Sequence, residues 1–399
     1  MKKMNAAARR EMKNAQAERW RILETERNNP TPEPASPEPE IVDSAPGSDL
    51  ESEPVDLSER ITTFDSLETF IDESRPGFSA EKVAGDIQDI ATYRSRIDAD
   101  TRANAAARGL ISESSPDLES AGVSAIGKFH EGVVAETLLS LIPEEYSAHI
   151  YRTTDYDDVF NGVDMICELK KDDKKLRFAV DATCDPHSIS EKLKRTYFGE
   201  PKPKKSSSPE SPEASPSDPS SRNFLGVGKI KYFRDHETGE ASRLDIPRVV
   251  LGIPVGKLDA FRDNASSSPE EQKRARLDAR EMLLFELNNQ FQDLTPNLFV
   301  DLDQNSSDIR YDAKTEGSDF RRKSDTLWEA HDNADELSKI FFNLDKAHAA
   351  SSDPAQKSAY TYARRWRYIG NNGAERVPFA SLIVETSHEI YGEKMEREL

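Results

Sequence analysis

A change of hydrophobic period at Pro143 constrains the fold of this 399-residue chain more than any other feature. The apolar residues before it recur at helical spacing: Ile126, Phe129, Val133, Val134, Leu138 and Leu141. After it, the segments 148–153, 160–169 and 176–183 are rich in β-branched, aromatic and aliphatic residues, with turn-like breaks between them. Because these connections are short, we predict adjacent antiparallel strands over 145–185, flanked by helices that start near 122 and 188.

Further elements are predicted beyond this hairpin region. Ser188 and Glu191 fit a capping box, which predicts a helix ending near Phe198. Leu225–Phe233 and Arg248–Val255 have the composition of strands. The order helix, three strands, helix, strands predicts an α/β (α+β) core domain over 120–262.

The flanking regions are predicted to be helical. Residues 62–119 are polar, with few strong apolar anchors, and are interpreted as a helical linker region. Residues 265–399 are predicted to be mainly helical, because Ser268 and Pro269 can start a helix and apolar faces follow. We expect an irregular polar stretch near 300–325.

Proline-rich tracts predict disorder at two places. Residues 30–54 hold seven of the 23 prolines, and residues 201–219 hold six more. Neither tract can bury enough apolar surface to offset its ordering entropy. The segment 1–61 is therefore interpreted as a basic helix followed by an acidic, disordered tail. The tract at 200–222 is interpreted as a disordered insertion within the core domain, a kind of insertion that costs little closure entropy.

Composition excludes several classes of protein. No run approaches 18 apolar residues, so we expect no membrane span, and the polar N-terminus favours a cytoplasmic location over secretion. Cys167 and Cys184 are the only cysteines, too few for a zinc site or a disulfide framework. The formal charge of −20 argues against a protein that coats nucleic acid, although a local basic groove remains compatible with it.

Two aspartates stand in strand contexts, where acidic residues are disfavoured. Asp164 precedes the apolar residues of one predicted strand, and Asp181 ends an almost purely apolar one. Because strand side chains alternate, Asp181 shares a face with Ala179, while Phe178 and Val180 point the other way. Two such carboxylates on neighbouring strands repel each other unless one is protonated or a cation lies between them. Their oxygens are suitable ligands for Mg²⁺.

The segments 127–131, 161–164 and 180–183 together resemble the PD-(D/E)xK nuclease superfamily, which has the restriction-endonuclease-like fold. In that superfamily a helix carries a Glu, a strand carries a metal-binding Asp, and the next strand carries Asp/Glu-x-Lys. The resemblance covers about 120–200. It implies that Asp164 and Asp181 bind Mg²⁺, with the Ala182 carbonyl as a further ligand. Glu131 matches the helix acid, with Glu136 as its competitor, and the expected partner is DNA or RNA.

One residue departs from this pattern, because Thr183 stands where the superfamily has the motif lysine. Thr183 is neutral and can only hydrogen-bond. Some members of the superfamily carry the lysine on the following helix, which makes Lys192 the expected substitute. Lys194 comes second, and Lys229 and Lys231 are weaker candidates.

Three functions therefore remain open. The first is a Mg²⁺-dependent phosphodiesterase acting on nucleic acid, with Glu131 and Lys192 as catalytic residues. The second is an inactive nuclease-like scaffold that recruits protein partners through its tails or C-terminal helices. The third is a purely structural protein. Over 120–200, ten Lys and Arg face fifteen Asp and Glu, so any nucleic-acid contact depends on local clustering or on metal.

Overall fold

Strands occupy the middle of the chain and long helices follow them. The computed structural model describes residues 58–64, 66–107, 118–184, 188–198, 226–261, 268–316, 319–365 and 379–398. These residues all belong to one unit, Asp56–Leu399. The two segments with the most prolines, within 1–57 and 199–225, lie outside the described residues, as does the predicted basic helix at the start of the chain.

The strands are β1 (Ile61–Thr63), β2 (Ser147–Arg152), β3 (Met165–Lys171), β4 (Lys174–Thr183), β5 (Val227–Arg234) and β6 (Ala241–Gly252). The helices are α1 (Ala80–Ala107), α2 (Leu118–Leu141), α3 (Ile189–Phe198), α4 (Val255–Leu258), α5 (Pro269–Glu316), α6 (Asp319–Ala349), α7 (Pro354–Arg365) and α8 (Phe379–Glu398). Short 3₁₀ turns lie at Ser58–Arg60, Leu67–Phe70, Pro76–Phe78 and Asp259–Phe261.

The described strands form one mixed, curled sheet in the order β1-β2-β3-β4-β6-β5. Strands β2, β3 and β4 are antiparallel neighbours, as their short connections predict. Strand β6 runs parallel to β4, with helix α3 in the connection between them. Strand β5 pairs antiparallel with β6, and β1 pairs parallel with β2. The predicted α/β class and the order of helix, three strands, helix and strands are confirmed.

The structure corrects the prediction in three places. The strand predicted over 160–169 begins only at Met165, after a π-helix at Asp157–Asn161. Strand β1 lies within the region interpreted as a helical linker, because three residues are too few to show a strand period. The expected irregular stretch near 300–325 is wrong, since α5 continues to Glu316 and α6 starts at Asp319. Polarity alone does not end a helix, and the sequence contains no proline or glycine between Pro296 and Gly317.

The hydrophobic core joins the sheet to the C-terminal helices. Phe178 of β4 packs edge-on against Phe291 of α5, at 5.4 Å between ring centroids, and Phe291 stacks on Phe341 of α6 at 5.5 Å. Phe178 and Val180 belong to this core, whereas Ala179 faces the other side of β4, as the alternation predicts. In the described residues, no helix is long and apolar enough to cross a membrane.

Side chains of helix α5 form hydrogen bonds with the backbone of β6, at residues where β6 is no longer paired with β5. The buried Gln290 side chain donates to the carbonyl of Val250 at 2.6 Å and accepts from its amide at 2.9 Å. The amide of Gly252 donates to the buried carboxyl of Glu286 at 2.8 Å. Burial raises the pKa of Glu286 well above its usual value, because a buried carboxyl is less stable in its charged form.

Replacing Gln290 with Ala is expected to lower the free energy of unfolding by about 3 kcal/mol, because it leaves a buried amide and carbonyl without partners. Urea denaturation measures the change. Gln292→Ala is the matched control, because Gln292 is only partly buried and bonds to Asn288 on its own helix. Equal losses in the two variants would show that the contact between Gln290 and β6 contributes nothing specific.

Candidate functional site

Asp164 and Asp181 face each other across the hairpin of β3 and β4. Met165 pairs with Val180 in the antiparallel ladder, so the preceding Asp164 lies opposite Asp181. The backbone amide of Asp164 donates to the carbonyl of Val180 at 2.9 Å, which fixes this position. The amide of Ala182 in turn donates to Oδ2 of Asp164 at 2.6 Å. The two aspartates therefore meet at one end of the sheet.

Asp181 is buried between two cations. Its side chain is 2% exposed, Oδ1 accepts from the ammonium of Lys192, and Oδ2 accepts from the guanidinium of Arg248. Lys192 also donates to the carbonyl of Ala182 at 2.5 Å, and Arg248 donates to the carbonyl of Gly162 at 2.7 Å. The two cations neutralise Asp181 and hold the start of α3 against the ends of β4 and β6.

Glu131 lies on helix α2 and reaches the same end of the sheet. Its pKa is raised to about 7, first by burial and then by the negative charge of Asp164. Arg152, Lys128 and Lys192 oppose that rise. Within the described residues, the Glu131 carboxyl makes no hydrogen bond or ion pair. A carboxyl with a pKa near 7 can both accept and release a proton under neutral conditions.

Asp164 titrates in the same range as Glu131. Burial raises its pKa to about 7, Lys192 works in the opposite direction, and the charges of Asp181 and Asp158 raise it further. Oδ1 of Asp164 has no hydrogen-bond partner in the described part of the chain. Both carboxyls therefore exchange protons near neutral pH, and each has an oxygen that can bind a cation in place of a proton.

A cleft of about 750 Å³ opens beside these two carboxyls. Glu131 and Asp164 line it, whereas Asp181 lies behind them. The basic residues of the lining are Arg94, Lys128 and Arg152, and the acidic ones are Glu68, Glu131, Asp155, Asp158 and Asp164. Five acids therefore face three bases, so the cleft with all groups ionised attracts cations rather than anions.

A π-helix at Asp157–Asn161 forms one wall beside the cleft. It ends at Gly162, whose φ of 64° is a left-handed conformation that glycine adopts without steric cost. Asp157 is fully buried, and its carboxyl accepts from the amides of Lys231 at 2.8 Å and Tyr232 at 3.0 Å. The ladder between β5 and β6 is irregular at these two residues. Asp157 therefore stabilises the irregular part of β5.

The competing sequence candidates lie elsewhere. Glu136 is exposed, whereas Glu131 lines the cleft. His130 is buried in the core, and its Nε2 accepts from the amide of Ile253 at 3.3 Å. Lys231 pairs with Asp86, and Thr183 shares a hydrogen bond of 2.9 Å with Ser188. Lys192 contacts Asp181 directly.

Carboxylate oxygens of the kind present here are ligands that hard cations prefer. Within the described ranges, no group of three or more His, Cys, Asp or Glu side chains is arranged to hold a metal ion. Asp164 and Glu131 nevertheless each offer carboxylate oxygen without a protein donor, at a place where burial raises both pKa values and the charge of Asp164 raises that of Glu131 further. The residues present fit a Mg²⁺ ion held by these two carboxyls and water, because Mg²⁺ commonly keeps several waters and takes one or two carboxylates.

Sequence reasoning missed two arginines at this site. Arg248 pairs with Asp181 from the neighbouring strand β6, and Arg152 lies at the end of β2 beside Glu131. A Cβ at Gly132 would lie 3.1 Å from Nη2 of Arg152, so this glycine leaves room for the guanidinium. Arg248 could have been recognised from the sequence, because it is a charged residue within the apolar run of β6. A buried charge requires a partner of opposite charge.

Comparisons of the chain with protein-family models, with curated proteins and with solved structures find no match.

Proposed function

We propose that this protein is a divergent member of the PD-(D/E)xK superfamily and a Mg²⁺-dependent phosphodiesterase acting on nucleic acid. The observation that carries the proposal is the meeting of Glu131, Asp164, Asp181 and Lys192 at one end of the sheet. These residues come from helix α2, the two strands of the hairpin and helix α3, which is the arrangement that the resemblance implies. The sheet order supports it, since α3 connects β4 to its parallel neighbour β6.

Each residue has a role that its surroundings support. Asp164 and Glu131 hold the cation through carboxyl oxygens that lack protein donors. The carboxyl oxygen of Glu131 that does not contact the cation can accept a proton from the attacking water. Lys192 supplies the positive charge that Thr183 lacks, and it is anchored by Asp181 and by the Ala182 carbonyl at 2.5 Å. Mg²⁺, when bound, activates water and offsets the charge that develops on the phosphate.

The net negative charge of the cleft opposes the binding of a nucleic-acid substrate. With five acids and three bases in its lining, the cleft repels a phosphate backbone unless the acids are neutralised. One divalent cation removes this excess of two negative charges. Lys128 and Arg152 can then contact phosphate, since neither side chain has an ion pair or hydrogen bond among the described residues. Nucleic-acid binding should therefore require the metal.

The test is cleavage of labelled DNA and RNA by the full chain with Mg²⁺ and with a chelator. Asp164→Asn is expected to reduce cleavage at least 100-fold, because it removes a carboxylate from the site. Asp173→Asn is the matched control, since Asp173 lies in the exposed turn between β3 and β4. Cleavage that persists unchanged in Asp164→Asn or in chelator would contradict the proposal.

A scaffold that retains the site without cleaving is the second candidate. It is favoured by Thr183 at the motif position and by the engagement of both Asp181 oxygens with protein cations. A metal-dependent rise in melting temperature without cleavage of any tested nucleic acid would support this alternative.

A further inference from the structure

An aromatic surface adjoins the cleft on the side of the π-helix. The Phe160 side chain is 41% exposed. In the described residues, the other large apolar side chains that are exposed to solvent are Ile71 and Phe342. Its ring lies 4.9 Å from the ring of Tyr156 and 5.9 Å from that of Tyr93 on α1. Two tyrosines therefore support one side of Phe160, and the rest of the ring is accessible to solvent.

Two arginines lie beside this surface. The guanidinium of Arg96 lies 5.3 Å from the centroid of the Tyr93 ring. Arg94, next to Tyr93 in the sequence, lines the cleft and pairs with Asp155 at 2.7 Å. Asp158, two residues before Phe160, also lines the cleft. Tyr156 and Phe160 therefore lie in the same chain segment as Asp155 and Asp158, which line the cleft.

We propose that Phe160, supported by Tyr93 and Tyr156, stacks an unpaired base of a single-stranded nucleic acid whose backbone enters the cleft. The inference deepens the proposed function by naming its substrate class. In a duplex, each base is covered above and below by its neighbours, so a side-chain ring can stack only on an unstacked base. Arg96 and Arg94 supply charge complementary to the backbone, as in other single-strand binding surfaces.

The experiment measures fluorescence anisotropy of labelled oligothymidylate and of a duplex of equal length with the full-length protein. Ca²⁺ replaces Mg²⁺ as an oxygen-binding cation, and a gel confirms that the probe stays intact. Phe160→Ala is expected to weaken single-strand binding about 5- to 100-fold, with duplex binding unchanged. Phe160→Trp should retain single-strand binding. Phe342→Ala is the matched control, a phenylalanine on α6 that is 46% exposed and makes no ring contact with Tyr93 or Tyr156 in the described residues.

A second variant keeps the inference testable if Phe160→Ala folds poorly. Arg96→Gln is expected to lower the slope of log affinity against log salt for the single strand by about 0.7, the value for one phosphate contact. Unchanged single-strand binding in Phe160→Ala, equal losses for single strand and duplex, or no binding by the parent protein would overturn the inference.

The outcomes separate this inference from the proposed function. Cleavage that needs Asp164 but does not depend on Phe160 would leave the proposed function standing and overturn the stacking. Single-strand binding that needs Phe160, without any cleavage, would support the stacking and contradict the phosphodiesterase.

Discussion

Replacing Asp181 with Asn is expected to abolish Mg²⁺-dependent cleavage and to lower the free energy of unfolding by about 3–5 kcal/mol. The carboxyl is 2% exposed and lies between Lys192 and Arg248, so its loss leaves two buried cations facing each other. Urea denaturation and a cleavage assay on the folded fraction measure the two effects. A variant as stable as the parent would contradict the ion-pair geometry.

Lys192→Met separates the catalytic effect of this cluster from its structural effect. It removes one cation but leaves Asp181 paired with Arg248, so the loss of stability should be clearly smaller than in Asp181→Asn. Cleavage should still fall about 100- to 1000-fold, because the charge that stabilises the developing phosphate oxyanion is gone. Full activity in Lys192→Met would exclude this lysine as the substitute for the motif residue.

The response of the melting temperature to divalent metal is expected to grow as the pH rises. The pKa values of Glu131 and Asp164 are about 7 in the folded protein, against 4.5 and 3.8 for the unperturbed groups. A pKa raised by folding contributes stability below the unfolded value, and this stability is lost as the pH rises through the folded value. Without metal, these two acids should therefore make the melting temperature fall as the pH rises from about 4 to about 7.

Mg²⁺ competes with protons for the same carboxyl oxygens, so its stabilising effect should be small near pH 5 and largest above about pH 7. Thermal melts with and without Mg²⁺ across this range measure the effect. Glu131→Gln should flatten both the fall without metal and the response to metal, whereas the exposed Asp173→Asn should change neither. A metal response that is largest in acid, or equal in Glu131→Gln and the parent, would contradict a cation site at these carboxyls.

The hairpin could be predicted from the sequence because strand patterning is local. The alternation of side chains along 176–183 placed Asp181 and Phe178 on opposite faces of the strand. The short turns allowed only antiparallel pairing of neighbouring strands. The 17-residue separation of Asp164 and Asp181 then matched the observed register. Helical spacing in α2 and the capping box before α3 likewise depend on residues close in sequence, so their positions were predicted correctly.

The environment of these residues was decided by contacts between distant parts of the chain. Arg248 lies 67 residues from Asp181 and becomes its partner only because β6 pairs in parallel with β4. The amide and carbonyl of Val250 are paired by Gln290, 40 residues away on α5.

The sequence by itself determined strands β2 to β4, the helices beside them and the acids that they carry, because those depend on local periodicity and chain stiffness. Only the tertiary structure decided which cation neutralises Asp181 and which carboxyls line the cleft. It also decided that Phe160 lies beside Tyr93 of α1. Burial and pairing of charge are long-range quantities, since they depend on which surfaces the packed sheet and helices bring together.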